Sequence, residues 1–160
     1  MYELPRTLRP PTRESAPVYV HHRFSQRDDA PGAAREVLEA DLAGSLSATS
    51  LAEVRLVVSE LVTNAVRHGP PGHGPIELTV TVGGDVARIE VADGGQGFRP
   101  PSDGPHLGQE GGWGLVVVDR LASRWGIEGG RFTRVWAEIP LGAQGADGGG
   151  TTEPVYARNV

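Results

Sequence analysis

From Ile76 to Val91 the chain alternates apolar and polar residues through two runs, Ile76 to Val82 and Val86 to Val91, separated only by Gly83-Gly84-Asp85. Alternation at period two places every second side chain on one face of a strand, and a short glycine turn between two such runs closes an antiparallel hairpin. One face of that hairpin is apolar and needs a cover. Two helical segments lie upstream. Pro31 to Leu46 carries Ala34, Val37, Leu38 and Leu42 at helical spacing, and the second helix follows several N-cap residues in Ser47 to Ser50. Its apolar face runs Leu51, Val54, Val58, Leu61, Ala65, and Gly69-Pro70-Pro71 stops it.

Around this centre, Val18 to Phe24 reads as an opening strand, Trp113 to Leu121 as a third helix, and Arg124 to Glu128 and Phe132 to Ile139 as two closing strands. Gly94 to Gly111 is mostly Gly, Pro and polar residues, long enough to act as a mobile lid. Helices grouped apart from hairpins predict an α+β two-layer sandwich, with the helices on one face of a mixed, mainly antiparallel sheet. The domain spans residues 18–140. Residues 1–17, with their prolines, and 141–160, with Gly148-Gly149-Gly150, read as flexible tails.

Composition narrows the chemistry. There is no cysteine, which removes disulfides, thiolate metal sites and cysteine nucleophiles and agrees with a cytoplasmic setting. No apolar run is long enough for a membrane span, and the first thirty residues do not read as a signal peptide, so a soluble, unexported protein is expected. The formal charge is −5 with scattered arginines, a poor match to nucleic acid. All 15 Lys+Arg positions are arginine. With no lysine, a P-loop is excluded, and a bound nucleotide requires another architecture.

Glu60, Asn64 and His68 lie four apart on the second helix, each displaced by about 40° from the last, so they share one face. That spacing alone fits a solvated face as well as a site. Asp93 ends a strand and precedes Gly94-Gly95-Gln96-Gly97, a stretch that fits an ordinary turn or a close approach of backbone to a ligand. An ionised carboxylate only accepts hydrogen bonds, so Asp93 suits an amino group such as that of adenine. Gly112-Trp113-Gly114 opens the third helix, where free N–H groups and the positive dipole end suit phosphate.

Taken in order, these pieces resemble the GHKL superfamily of ATPases, the Bergerat fold shared by gyrase-type ATPases, histidine-kinase catalytic domains and mismatch-repair ATPases. Glu60-x-x-x-Asn64-Ala65-x-x-His68 resembles the asparagine box, Asp93-x-Gly95-x-Gly97 the first glycine box and Gly112-x-Gly114 the second, and the resemblance covers roughly Val18 to Pro140. Within the superfamily, the segment Ser59 to His68 looks most like the small anti-sigma-factor serine/threonine kinases of bacterial sporulation and stress switches. The resemblance implies ATP and Mg²⁺ as cofactors, with Asn64 offering an oxygen to the metal and Glu60 acting as general base on a serine hydroxyl. It implies that Asp93 selects adenine, that Gly95 and Gly97 line the base, that the amides of Gly112 to Gly114 hold phosphates, and that Thr133 supports the adenine. Its implied partners are a sigma factor and an anti-anti-sigma protein, with no membrane or direct nucleic-acid role and a homodimer also compatible.

Related kinases carry an arginine in or beside the second glycine box. Here that neighbourhood reads Gln109-Glu110-Gly111-Gly112-Trp113-Gly114, without the cation, and Arg99 at the other end of the lid is the one candidate substitute, with nothing in the sequence to show that it reaches. Two alternatives follow: an ATP-binding module that sequesters a partner without transferring phosphate, and a histidine-kinase-like ATPase domain. His21-His22 falls on a strand, without the dimerising helix of a phospho-accepting histidine, and His68 is expected to cap its helix or play another structural part rather than sit near phosphate. Trp113, Trp125 and Trp136 are expected to pack in the core or under the lid.

Overall fold

A computed structural model describes residues 16–70, 72–95 and 112–142. Within them the order is β1 (Val18–Phe24), α1 (Ala30–Leu42), α2 (Ala48–His68), β2 (Ile76–Gly83), β3 (Val86–Asp93), α3 (Gly112–Leu121), β4 (Arg124–Glu128) and β5 (Thr133–Pro140). The strands form one sheet in the order β1-β2-β3-β5-β4. Every pairing in it is antiparallel, so the mainly antiparallel sheet expected from the hairpins has no parallel pair among the described residues. Helices α1, α2 and α3 lie side by side, with α2 in the middle and in contact with β2, β3 and β5, which makes a two-layer α+β sandwich.

Turn chemistry sets the boundaries. The β2–β3 hairpin turns at Gly84-Asp85, with Gly84 at φ +60, a conformation glycine adopts without a Cβ clash. Helix α1 stops at Leu42, short of the expected Leu46, because Gly44 takes φ +78 and Ser45 N–H donates to the Leu42 carbonyl. Ser47 caps α2, its Oγ accepting from Ser50 N–H at 3.1 Å. At the other end Gly69 is extended (φ −67, ψ 142), the conformation a following proline imposes. Its N–H still donates to the Ala65 carbonyl, and a Cβ there would lie 2.5 Å from that oxygen. Strand β5 begins at Thr133, one residue after the expected Phe132, because its ladder with β3 closes at the Asp93–Thr133 pair.

The core fills the space between the layers. Val54, Val57, Val58, Leu61, Val62 and Ala65 of α2 are buried against Leu78, Val80, Ile89 and Val91 of the sheet. The buried stripe is wider than the expected one and includes Val57 and Val62, because α2 has a helix on either side as well as a sheet beneath. The opposite sheet face has no helix among the described residues. On it Arg88, Arg124 and Arg134 pair with Glu90, Glu138 and Glu128, and Trp136 lies under the Arg88 guanidinium at 4.6 Å. Trp136 is only 7% exposed, since its cross-strand partner Gly126 leaves room for the ring. Trp125 packs on the helical side, and its indole N–H donates to Asp119 at 2.9 Å. The Trp113 side chain and both expected tails, apart from residues 16, 17, 141 and 142, lie outside the described residues. No described helix is long and apolar enough to cross a membrane.

Candidate functional site

A cleft of about 440 Å³ opens between α2, the end of β3, the start of α3 and the β4–β5 hairpin. Asn64, Asp93, Gly95 and Thr133, four of the residues singled out from the sequence, line it together. Their convergence follows from topology. Asp93 ends β3 and stands opposite Thr133, the first residue of β5, in the antiparallel register. Helix α2 runs above them, bringing its C-terminal turns over the same strand ends.

The aspartate is held in place from several sides. Its Oδ1 accepts the Gly95 N–H at 2.7 Å, a short turn that folds the chain back over the strand end. A Cβ on Gly95 would lie 2.7 Å from that oxygen, 3.0 Å from Thr133 Oγ1 and 3.3 Å from Pro70, so the close approach requires glycine. Gly94 is packed as tightly, its Cβ position meeting the His73 backbone. Burial pushes the Asp93 carboxyl above the ordinary carboxylate range, and the Gly95 N–H and the nearby His68 pull it partly back. The Gly95 N–H takes one acceptor position of the carboxylate, whose two oxygens offer about four. Thr133 is buried, 6% exposed, beside it.

The second cluster sits where α3 begins. A Cβ on Gly114 would lie 2.8 Å from Glu60 Oε2 and 3.3 Å and 3.5 Å from Asn64 Nδ2 and Oδ1. The half-buried Glu60 and Asn64 therefore face the first turn of α3, and glycine at 114 keeps that approach open. Gly112 opens the helix. Its first N–H groups have no intrahelical acceptor and present donors at the same end. Gly97 and Arg99 lie outside the described residues, as does the expected lid beyond Gly95.

His68 is exposed in the last turn of α2 and lines the cleft, and Gly69 follows it as the C-cap residue. The His21–His22 pair plays a structural part: His21 Nδ1 meets Thr79 Oγ1 at 3.2 Å, and His22 Nε2 meets Asp41 at 2.7 Å. Sequence reasoning missed Pro70, His73, Ile127 and Arg131, which also line the cleft. It missed Gln26 as well, whose Nε2 donates to the Gly69 carbonyl at 2.6 Å and fastens the end of α2. These residues carry no periodic signal. Only the position of Arg131 two residues before Thr133 could have marked it.

The arrangement offers a buried acceptor at one end, a neutral amide oxygen with a carboxylate and helix-terminal N–H groups at the other, and an apolar wall of Leu61, Val91, Leu115, Ile127 and Val135 between them. This fits a ligand with a flat, partly apolar amine-bearing ring and an anionic tail, and the volume suits a molecule of nucleotide size. Among the described residues no cluster of three His, Asp or Glu is built to hold a metal, so a cation at Asn64 needs further oxygens from such a ligand.

Two solved structures and one family model resemble this chain. The crystal structure of the RsbU and RsbW domains of Rv1364c from Mycobacterium tuberculosis matches at 25% identity and a TM-score of 0.60, over 77% of this chain and 32% of that one. This chain thus spans about a third of that protein's length. A histidine kinase domain from the Erythrobacter litoralis EL346 blue-light activated histidine kinase matches at 26% identity and a TM-score of 0.48, over 69% of this chain and 59% of that one. No curated protein matches the chain. The family described as histidine kinase-like ATPase domain matches residues 24–138, from the last residue of β1 into β5. A match of that extent includes both clusters of the cleft, and the chain belongs to the histidine kinase-like ATPase family.

Proposed function

We propose that the chain is a cytoplasmic, ATP- and Mg²⁺-dependent serine/threonine kinase that phosphorylates an anti-anti-sigma protein and sequesters a sigma factor. The observation that carries the reading is the meeting of Glu60 and Asn64 at the first turn of α3, within 2.8 Å and 3.3 Å of the Gly114 Cβ position. It brings a carboxylate, a neutral side-chain amide and the first turn of a helix to one point, a set that suits a cation-bound phosphate. Family membership supports the ATP site, and an RsbW domain in the matching Mycobacterium tuberculosis structure supports the regulatory setting.

In this reading ATP, bound with Mg²⁺, supplies the transferable phosphoryl group and the cation that neutralises its charge. Asp93 accepts a hydrogen bond from the adenine amino group, with Thr133 and the backbone at Gly95 and Gly97 enclosing the ring. Asn64 gives the cation an oxygen without adding negative charge. The N–H groups at Gly112 to Gly114 orient the phosphates. Glu60 takes the proton from the incoming serine hydroxyl, so that the oxygen is nucleophilic when it meets the phosphorus.

A second reading, a partner-sequestering module that holds ATP without transferring phosphate, is favoured by one observation: Gln109 to Gly114 contains no arginine. The two separate in one assay. The chain is incubated with γ-labelled ATP and a candidate anti-anti-sigma protein while ATP binding is measured in parallel. Label on a serine of the partner supports the kinase; ATP binding with an unlabelled partner supports the module.

A further inference from the structure

On the helix-free sheet face Arg88, Arg124 and Arg134 each have a carboxylate partner. Arg88 pairs with Glu90 at 2.7 Å and Glu138 at 2.8 Å, Arg124 with Glu138 at 3.7 Å, and Arg134 with Glu128 at 3.4 Å and Glu90 at 3.8 Å. Arg131 differs. It stands in the β4–β5 turn, lines the cleft, and has no carboxylate within 4.0 Å among the described residues.

Its place along the cleft decides what it meets. Arg131 precedes Thr133 by two residues, and Thr133 Oγ1 lies 3.0 Å from the Gly95 Cβ position, opposite Asp93 in the register. This is the base end of the cleft. Phosphate-binding features lie at the other end, where Glu60, Asn64 and Gly114 meet. A cation at the base end finds an aromatic ring, and a guanidinium is planar, weakly hydrated and suited to lie against one. The apolar side chains of Val91, Ile127 and Val135 offer the ring its other contacts.

We infer that Arg131 is a recognition residue for the nucleotide base, its guanidinium stacked on the ring that Asp93 holds by the amino group. This rests on the ATP-site reading above. A stacked guanidinium acts on the base alone, so its contribution is the same whether the ligand carries three phosphates or none.

The test is calorimetric titration of the full chain with adenosine, ADP and ATP, for the wild type, Arg131→Ala and Arg131→Lys. Arg131→Ala is expected to weaken all three ligands by a common factor of about two to five. Arg131→Lys keeps the charge, loses the planar fork, and is expected to recover only part of that factor. An unchanged affinity, a loss that grows from adenosine to ATP, or full recovery with lysine would each overturn the assignment, the last two by tracing the effect to charge on phosphate. Failure of the wild type to bind ATP overturns the ATP-site reading itself. Normal wild-type binding with an indifferent Arg131→Ala overturns the stacking alone.

Discussion

Gly114 and Glu60 meet where α3 begins, and a methyl group on Gly114 would come within 2.8 Å of the Glu60 carboxylate. The contact is with the far end of a flexible side chain, so the protein can accept the methyl by moving Glu60. Gly114→Ala is therefore expected to keep its thermal stability, or to gain a few tenths to about 1 kcal/mol from the better helix former. Phosphoryl transfer is expected to fall at least about tenfold, because small misplacements of reacting groups are costly. Thermal melting beside a transfer assay checks both halves, and a stable variant with wild-type transfer would contradict the proposed role of this contact.

Asp93 makes a different prediction, because its burial disfavours the charged carboxylate that the proposed ATP site uses. Asp93→Asn keeps the shape and an oxygen for the Gly95 N–H, but replaces an acceptor-only carboxylate with an amide. ATP affinity is expected to fall roughly ten- to a hundredfold, the usual range for losing one charged hydrogen bond. Titration calorimetry measures this directly.

The same residue gives a pH dependence with a definite sign. Burial raises the folded carboxyl above its ordinary value, so the folded chain binds the Asp93 proton more tightly than the unfolded chain does. Its favourable contribution to stability is complete below the ordinary carboxylate value and is lost as pH rises through the raised value. Asp93→Asn, which has no such loss, is expected to gain stability relative to wild type across that window, as followed by melting at stepped pH. ATP affinity runs the other way and declines in the wild type as pH falls through the raised value.

Gln26 tests the support of the cleft. Its amide donates to the Gly69 carbonyl at 2.6 Å, beside the Asp93 carboxyl carbon that lies 3.4 Å from the Gly69 Cβ position. Gln26→Ala is expected to cost about 1 kcal/mol of stability, the typical value for one such bond. Chemical denaturation measures the loss.

The elements were legible in the sequence because their signals are local. Alternation marked β2 and β3 and the glycines marked their turn, while Gly69-Pro70 ended α2 through the conformation proline imposes on its neighbour. The site was legible to the extent that it lies on such elements: Asn64, Asp93, Gly95 and Thr133 do line one cleft. What could not be read is what depends on register and on side chains crossing between elements. Nothing local tells that Gln26 reaches the end of α2, 43 residues away, or that Arg131 turns to the cleft while Arg134 pairs on the other face. The shorter α1 had a signal that went unread: Gly44 at positive φ is a common way to end a helix.

The proposed kinase divides its work: Glu60 acts on the phosphoacceptor while the rest of the cleft holds the nucleotide. It is tested most directly by comparing wild type with Glu60→Gln, measuring ATP affinity by calorimetry and transfer of γ-label to a serine of the anti-anti-sigma partner. Wild type is expected to label the serine, and Glu60→Gln to bind ATP within a few-fold of wild type while transferring about 10²- to 10⁴-fold more slowly, the range typical of a general base. Equal labelling by the two forms, or a wild type that binds ATP and labels no serine, would contradict it.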